Sequence, residues 1–213
     1  MNSPKAIIFD LGGVLVDVDK KKSIRKWNLL TGKDTASFEK TFFADKLKNR
    51  FNEGAIDSTF FLHTLKAGVS RGPGRLRTCE SILETSLKSI WTAMLQPRSY
   101  TEKIIDLLHS SIHLAILSDT DPIHASHMEQ EFDFFQRFKV KTYSYVVGAT
   151  KPDKRMYATV LNDLGIEANS CVFFDDRPKN VAGAVNMGIR AYTATNEKDI
   201  LEGLKREGLP TYE

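Results

Sequence analysis

Four places in the chain join an apolar run to side chains able to do chemistry. Ile7-Ile8-Phe9 leads into Asp10 and a turn through Leu11-Gly12-Gly13. Ala115-Ile116-Leu117 leads into Ser118-Asp119-Thr120, and Val172-Phe173-Phe174 into Asp175-Asp176. The run at 144–147 is followed by Gly148-Ala149-Thr150-Lys151-Pro152-Asp153. Brought together, the carboxylates would make a hard, oxygen-rich site of the kind that holds Mg²⁺. A hydroxyl, a lysine and turn amides would donate to the oxygens of a phosphoryl group. The cation would offset repulsion between an anionic nucleophile and an anionic substrate. An aspartate could then attack phosphorus and form an acyl phosphate.

Taken singly, each residue has a plainer use. A lone Asp after an apolar run serves in turns and helix caps. Ser118 could cap the next helix, Lys151 could be a solvated loop charge, and Asp175-Asp176 could sit at a helix N-terminus and gain from its dipole. Only convergence sets the four segments apart, and convergence depends on the elements that carry them.

Those elements read as short buried strands at 5–9, 112–117, 144–147 and 171–174, with a weaker one at 189–193. Each has the length of a strand covered on both faces of a parallel sheet. Helices with recognisable ends lie between the later strands. Ser99-Tyr100-Thr101-Glu102 reads as a capping box opening a helix through Leu108. Asp121-Pro122 gives an N-cap followed by proline at the first helical position. Asp153 caps a helix through Leu164 that Gly165 stops, and residues 178–187 form another, ending at Gly188. The alternation predicts an α/β fold, a doubly wound parallel sheet of Rossmann-like type. Parallel strands bring all the reactive ends to one edge.

Residues 19–97 read differently. Helical periodicity recurs at 23–30, 37–51, 58–65 and 76–91, punctuated by Gly32, Gly54 and Arg71-Gly72-Pro73-Gly74, with no convincing strand. The expected organisation is a catalytic core of residues 1–18 and 98–213 with a helical cap, 19–97, inserted above the strand ends.

Composition narrows the classes. Thirty basic against 27 acidic residues give +3, too little for a nucleic-acid binder. No apolar run is long enough for a signal peptide or a membrane span, which leads to the expectation of a cytoplasmic protein with neither membrane nor nucleic-acid partners. Cys79 and Cys171 form no CxxC pair, so zinc and disulfide frameworks are not expected, and Cys171 reads as a small core residue. Lys20-Lys21-Lys22 with Arg25 and Lys26 reads as a solvated helix face. His124 and His127 read as surface residues without a further ligand. Phe42-Phe43 and Phe60-Phe61 read as the core of the cap.

The motifs together resemble the haloacid dehalogenase superfamily of hydrolases along almost the whole chain. Phe9-Asp10-Leu11-Gly12-Gly13-Val14-Leu15 is similar to its first motif, and Leu117-Ser118-Asp119-Thr120 to its second. Lys151-Pro152-Asp153 with Tyr157 is similar to the third, and Phe173-Phe174-Asp175-Asp176 with Asn180 to the fourth. The resemblance implies that Asp10 is nucleophile and magnesium ligand, joined at the cation by the Gly12 carbonyl and Asp176, with Asp175 an additional acidic contact. Ser118 would donate to a phosphoryl oxygen, with Asp119 beside it at the phosphate subsite. Lys151 would stabilise negative charge and orient Asp10. The implied activity is Mg²⁺-dependent hydrolysis of a small phosphorylated metabolite, sugar phosphates included.

Two positions depart from the pattern. Gly12 stands where most phosphatases of the family carry a second Asp as general acid and base, and Asp119 stands where Asn is usual. General acid–base assistance is worth ~10²–10⁴-fold. Asp17 and Asp19, further along the loop, read either as solvated residues or as surrogate acids. Two rival readings keep the fold: a ligand-binding domain without catalysis, and a 2-haloacid dehalogenase, in which the acidic pair at 175–176 would have no task.

Overall fold

The computed structural model describes residues 3–70 and 84–212. Within them the apolar runs that begin at Lys5, Ile112 and Cys171 form strands buried on both faces. In Ala6–Phe9 (β1), Ile7 and Phe9 enter one core while Ala6 and Ile8 enter another. This period-two split is what a doubly covered strand requires. A three-residue strand, Val16–Val18 (β2), follows and leads into helices Lys20–Thr31 (α1), Thr35–Phe43 (α2), Leu47–Asn52 (α3), Ser58–Ser70 (α4) and Glu84–Thr92 (α5). Leu95–Pro97 (β3) then pairs antiparallel with β2.

The remaining chain alternates: Thr101–Leu108 (α6), His113–Ser118 (β4), Pro122–Glu131 (α7), Val140–Tyr143 (β5), Ser144–Val147 (α8), Lys154–Leu164 (α9), Cys171–Asp175 (β6), Pro178–Asn186 (α10), Arg190–Thr193 (β7) and Glu197–Arg206 (α11). The large strands form one parallel sheet in the order β5-β4-β1-β6-β7. Side chains of α6, α7 and α11 cover one face, and those of α9 and α10 the other. Because the chain winds outward from β1 in both directions, the carboxyl ends of β4, β1 and β6 lie side by side, where open α/β sheets bind ligands.

Several sequence expectations need correcting. Ser144–Val147 is a helix, and the third parallel strand lies just before it at Val140–Tyr143. The reason is the length of its neighbour: Tyr143 pairs with Ser118, the last residue of β4. Beyond it no partner strand remains, so the backbone turns inward on itself until Gly148 stops it in the left-handed region. Val146 is accordingly 71% exposed despite its apolar run. The β2–β3 ribbon was not expected, its strands being too short to show a period. Ser99 and Glu102 form no capping box; Tyr100 occupies the N-cap without a side-chain bond. Instead Thr101 and Tyr100 donate their hydroxyls to the Leu15 and Val14 carbonyls, at 2.6 and 2.8 Å, and fasten the loop after β1.

The caps at Asp121-Pro122, Asp153 and Gly165 are present as read. Cys171 is buried. Cys79, the segment 71–74 and the start of the helix expected over 76–91 lie outside the described residues.

The helices between β2 and β3 share a core built on Trp27, Phe38, Phe42, Phe51, Phe61 and Trp91, with Ile123 of α7 included. Phe42 and Phe61 belong to it, whereas Phe60 is 49% exposed. The basic start of α1 is more engaged than a solvated face: Lys20 lies 3.7 Å from Glu39, Lys22 bonds Gln96 and Lys26 bonds Ser89. His124 is buried, contrary to its reading as a surface residue. Its ring stacks on Trp91 at 4.6 Å, and its Nδ1 lies 3.0 Å from Asp121, which also accepts the Trp91 indole N–H.

A second junction joins this helical segment to the sheet. The Ser144 hydroxyl bonds the Asn52 carbonyl at 2.6 Å and accepts the Thr120 N–H at 3.0 Å. Two residues after Asn52, Gly54 adopts φ +67°, and a Cβ there would run into the Tyr145 carbonyl oxygen. Gly54→Ala is therefore expected to destabilise the fold by about 2–4 kcal/mol, combining left-handed strain with an overpacked contact. Gly32→Ala, at φ +67° but with open space around it, should cost only about 1–2 kcal/mol. Denaturant unfolding of the two variants checks this, and equal losses would remove the contact from the account.

Candidate active site

Asp10 begins where the β1 ladder ends, its N–H still bonded to the Phe174 carbonyl at 2.9 Å. The Leu11 carbonyl then accepts the N–H groups of Leu15 and Val16, and Gly13 donates to Val16, folding the loop tightly back. The two glycines in that loop have different reasons to be there. Gly13 has φ +83°, and a Cβ would lie 2.5 Å from Asp176 Oδ2. At Gly12 a Cβ would meet only Val18 Cγ2 at 3.5 Å, an ordinary contact. The backbone thus requires glycine at 13 and tolerates a side chain at 12.

The centre of the site is Lys151, which is 3% exposed. Its ammonium lies 2.9 Å from Asp10 Oδ1, 2.7 Å from Asp175 Oδ2 and 2.9 Å from the Leu117 carbonyl. An ammonium has three protons, and all three are committed within the protein. Burial alone would depress this ammonium, yet Asp10, Asp175 and Asp119 hold it above its ordinary range. Asp10 is 7% exposed. Burial pushes its carboxyl up to about 7 against the pull of Lys151, with Asp175 adding to the rise. The Lys151 contact and the Leu11 N–H, at 2.7 Å, both fall on Oδ1.

The neighbouring acids differ sharply. Asp175 is fully buried and satisfied: Arg177 N–H and the Asn180 amide reach Oδ1 at 2.9 Å, and Lys151 holds Oδ2. Asn180 is fixed in turn by the Tyr157 hydroxyl on its carbonyl, 2.8 Å away. Asp176, one residue on, leaves a buried Oδ1 without a hydrogen-bond partner. Burial, then the Asp175 charge, raises its carboxyl. Asp10, Asp175 and Asp176 each offer an oxygen within 4.8 Å of the others. An all-oxygen set with one orphaned carboxylate atom is what a hard divalent cation fits.

Ser118, buried at the end of β4, and Asp119 complete the floor of a cavity of about 420 Å³ shared with Asp10, Gly12 and Asp176. Asp119 accepts the Lys151 backbone N–H at 2.9 Å, and burial raises its carboxyl. Every residue singled out from the strand ends is thus brought to one place. The cavity also contains residues that sequence reasoning missed: Lys48 of α3, Arg98 and Arg177. Nothing in their local sequence marked them, because they arrive from loops and from the helical segment. Asp17 lines the cavity too, paired with Arg98 at 2.8 Å, while Asp19 is the N-cap of α1. Chemistry rather than size distinguishes this cavity. A hollow of about 580 Å³ beside Lys88 and His127 is larger and gathers no carboxylates.

Comparison with known proteins agrees with this geometry. The model of a hydrolase family, the haloacid dehalogenase-like hydrolases, matches residues 4–188. The chain is 24% identical over 202 residues to D-ribitol-5-phosphate phosphatase of Bacteroides thetaiotaomicron, with 92% of this chain and 94% of that one covered. A 64-residue stretch is 39% identical to a phosphatase of Mycobacterium tuberculosis, spanning 30% of this chain and 30% of that protein's length. A solved HAD family enzyme of Bacteroides thetaiotaomicron, in complex with magnesium and inorganic phosphate, superposes with a TM-score of 0.75 at 22% identity, covering 89% of this chain and 93% of that one.

Removing the shared ammonium should be costly. In Lys151→Met two buried carboxylates lose their counter-charge, and breaking a buried pair in this way costs about 3–5 kcal/mol. The expected outcome is a large drop in the denaturant midpoint, and an unchanged midpoint would show that the pair does not hold the site together.

Proposed function

The chain belongs to the haloacid dehalogenase-like hydrolases, and on that footing we propose that it hydrolyses a small phosphate monoester through an aspartyl-phosphate on Asp10. The observation that carries this reading is the contrast at the acidic cluster. Lys151 and Leu11 hold one oxygen of Asp10, and Asp176 keeps a buried oxygen unpaired beside it.

Asp10 attacks phosphorus through its second oxygen as the bond to the leaving group breaks. Lys151 keeps the carboxylate oriented and lends it positive charge from behind, since its own protons are already used. Ser118 donates to a phosphoryl oxygen, where charge develops in the transition state. Because the N–H groups of Leu11, Gly13, Val14, Leu15 and Val16 are taken within the loop after β1, the amide there that joins it is that of Gly12. Water then hydrolyses the acyl phosphate and returns Asp10. Asp10, Asp176 and the Gly12 carbonyl would hold Mg²⁺, which when bound offsets the repulsion between carboxylate and phosphate. Asp175 serves the site by fixing Lys151 and Asn180. The helices between β2 and β3 act as a cap that selects the organic part of the substrate, a small phosphorylated metabolite.

Displacement at carbon, the dehalogenase reading, gives the free oxygen of Asp176 nothing to do. A purely ligand-binding role gives no reason for a carboxylate to be held by one oxygen with the other spared.

Three variants test the reading. Asp10→Asn should remove phosphatase turnover while the fold and its unfolding midpoint remain near wild type. Asp176→Ala should raise the Mg²⁺ concentration needed for half-maximal activity by more than about tenfold, because Mg²⁺ relies on only one or two protein carboxylates. Asp175→Ala should instead lower stability. Turnover that survives chelation, or in the pure Asp10→Asn protein, would defeat the proposal.

A further inference from the structure

We propose that Lys48, reaching the cavity from α3, is a catalytic residue that gives a proton to the leaving-group oxygen; this rests on the phosphatase reading. Departure of an alkoxide is assisted by a proton given from the side opposite the nucleophile. Attack by Asp10 comes from the sheet edge, so an in-line leaving group points away from the sheet, toward the helical roof. The groups on the sheet side are already committed. Lys151 has no proton to spare, and Asp119 is held by the Lys151 N–H on the sheet side, the nucleophile's side of an in-line displacement. Asp17 is ion-paired with Arg98, and Asp19 accepts the Lys21 N–H at the start of α1. Lys48 and Arg177 also line the cavity, and among the described residues neither has an ion-pair partner. A guanidinium does not deprotonate in proteins, which leaves Lys48 as the donor.

The helix that carries it is anchored. Lys48 lies one helical turn before Asn52, so the two share a face of α3. Asn52 is tied to Ser144, which also holds the N–H of Thr120, two residues beyond Ser118. The junction that docks α3 beside the end of β4 therefore keeps Lys48 in the lining of the cavity that Ser118 and Asp119 floor. Burial, followed by the Lys20 charge, holds its ammonium below the ordinary lysine range, which makes it a readier donor.

The step balances. As the Asp10–phosphorus bond forms and the phosphorus–oxygen bond breaks, one proton passes from the Lys48 ammonium to the departing oxygen, which leaves as an alcohol. The amine then takes a proton from the water that attacks the acyl phosphate. Inorganic phosphate is released with the ammonium restored.

The experiment measures kcat/KM with saturating Mg²⁺ over phosphate monoesters of graded leaving-group pKa, from 4-nitrophenyl phosphate to simple alkyl phosphates. In Lys48→Met the alkyl esters should lose about 10²-fold or more, while the 4-nitrophenyl ester stays within about threefold, since its leaving group needs no proton. Lys48→Arg should resemble Lys48→Met for alkyl esters, and Arg177→Gln should lower all esters by one common factor. The readout is a ratio within one preparation, so partial unfolding cancels. Parallel profiles for wild type and Lys48→Met would overturn the Lys48 assignment alone. A wild type that turns over no ester would overturn the phosphatase reading and this inference together.

Discussion

One buried ammonium organises this protein. Lys151 is shared by a carboxylate at the end of β1, another at the end of β6 and a carbonyl near the end of β4. Three neighbouring strands thus end on a single positive charge. Burying such charges is unfavourable unless each is met by partners of good geometry, and much of the surrounding structure supplies them. Asn180 and the Arg177 N–H satisfy Asp175, and Tyr157 holds Asn180. Asp119 restrains the backbone of Lys151 itself. The strand order β4-β1-β6 is the arrangement that lets one lysine answer all of them.

Against this satisfied background the unsatisfied groups stand out. Most buried polar atoms in a folded protein have partners, and the exceptions ask for an explanation. Here Asp176 Oδ1 and Asn180 Oδ1 are orphaned on the sheet side of the cavity. On the roof side Lys48 has no ion-pair partner among the described residues, its ammonium lying 5.8 Å from the Phe43 ring. The pairing of Asp175 and the orphaning of Asp176 set two adjacent, chemically identical residues apart, one holding the architecture and the other left with a free oxygen.

Much of this was legible in the sequence, and the limits have physical causes. Strands β1, β4 and β6 could be read because both faces are buried and their reactive residues sit at the last rung. The caps at Asp121, Asp153 and Gly165 could be read because capping is local chemistry. The run at Ser144–Val147 misled because apolar composition does not reveal where a neighbouring strand runs out. His124 misled because its partner, Trp91, is brought to it only by the packing of α5 on α7. Ser99 and Glu102 matched a local motif whose role passed to tertiary bonds from Tyr100 and Thr101. Lys48 had no local mark at all, since its position depends on a contact between Asn52 and Ser144, 92 residues apart.

The loop after β1 also says something about how such an enzyme can change over evolutionary time. Of its two adjacent glycines, Gly13 is locked by its backbone angle and by Asp176, whereas Gly12 faces only the side chain of Val18 at ordinary contact distance. Descendants of this chain can therefore explore side chains at position 12 without first rebuilding the scaffold, while position 13 is closed to them. A side chain gained or lost there leaves the charge-sharing framework around Lys151 untouched.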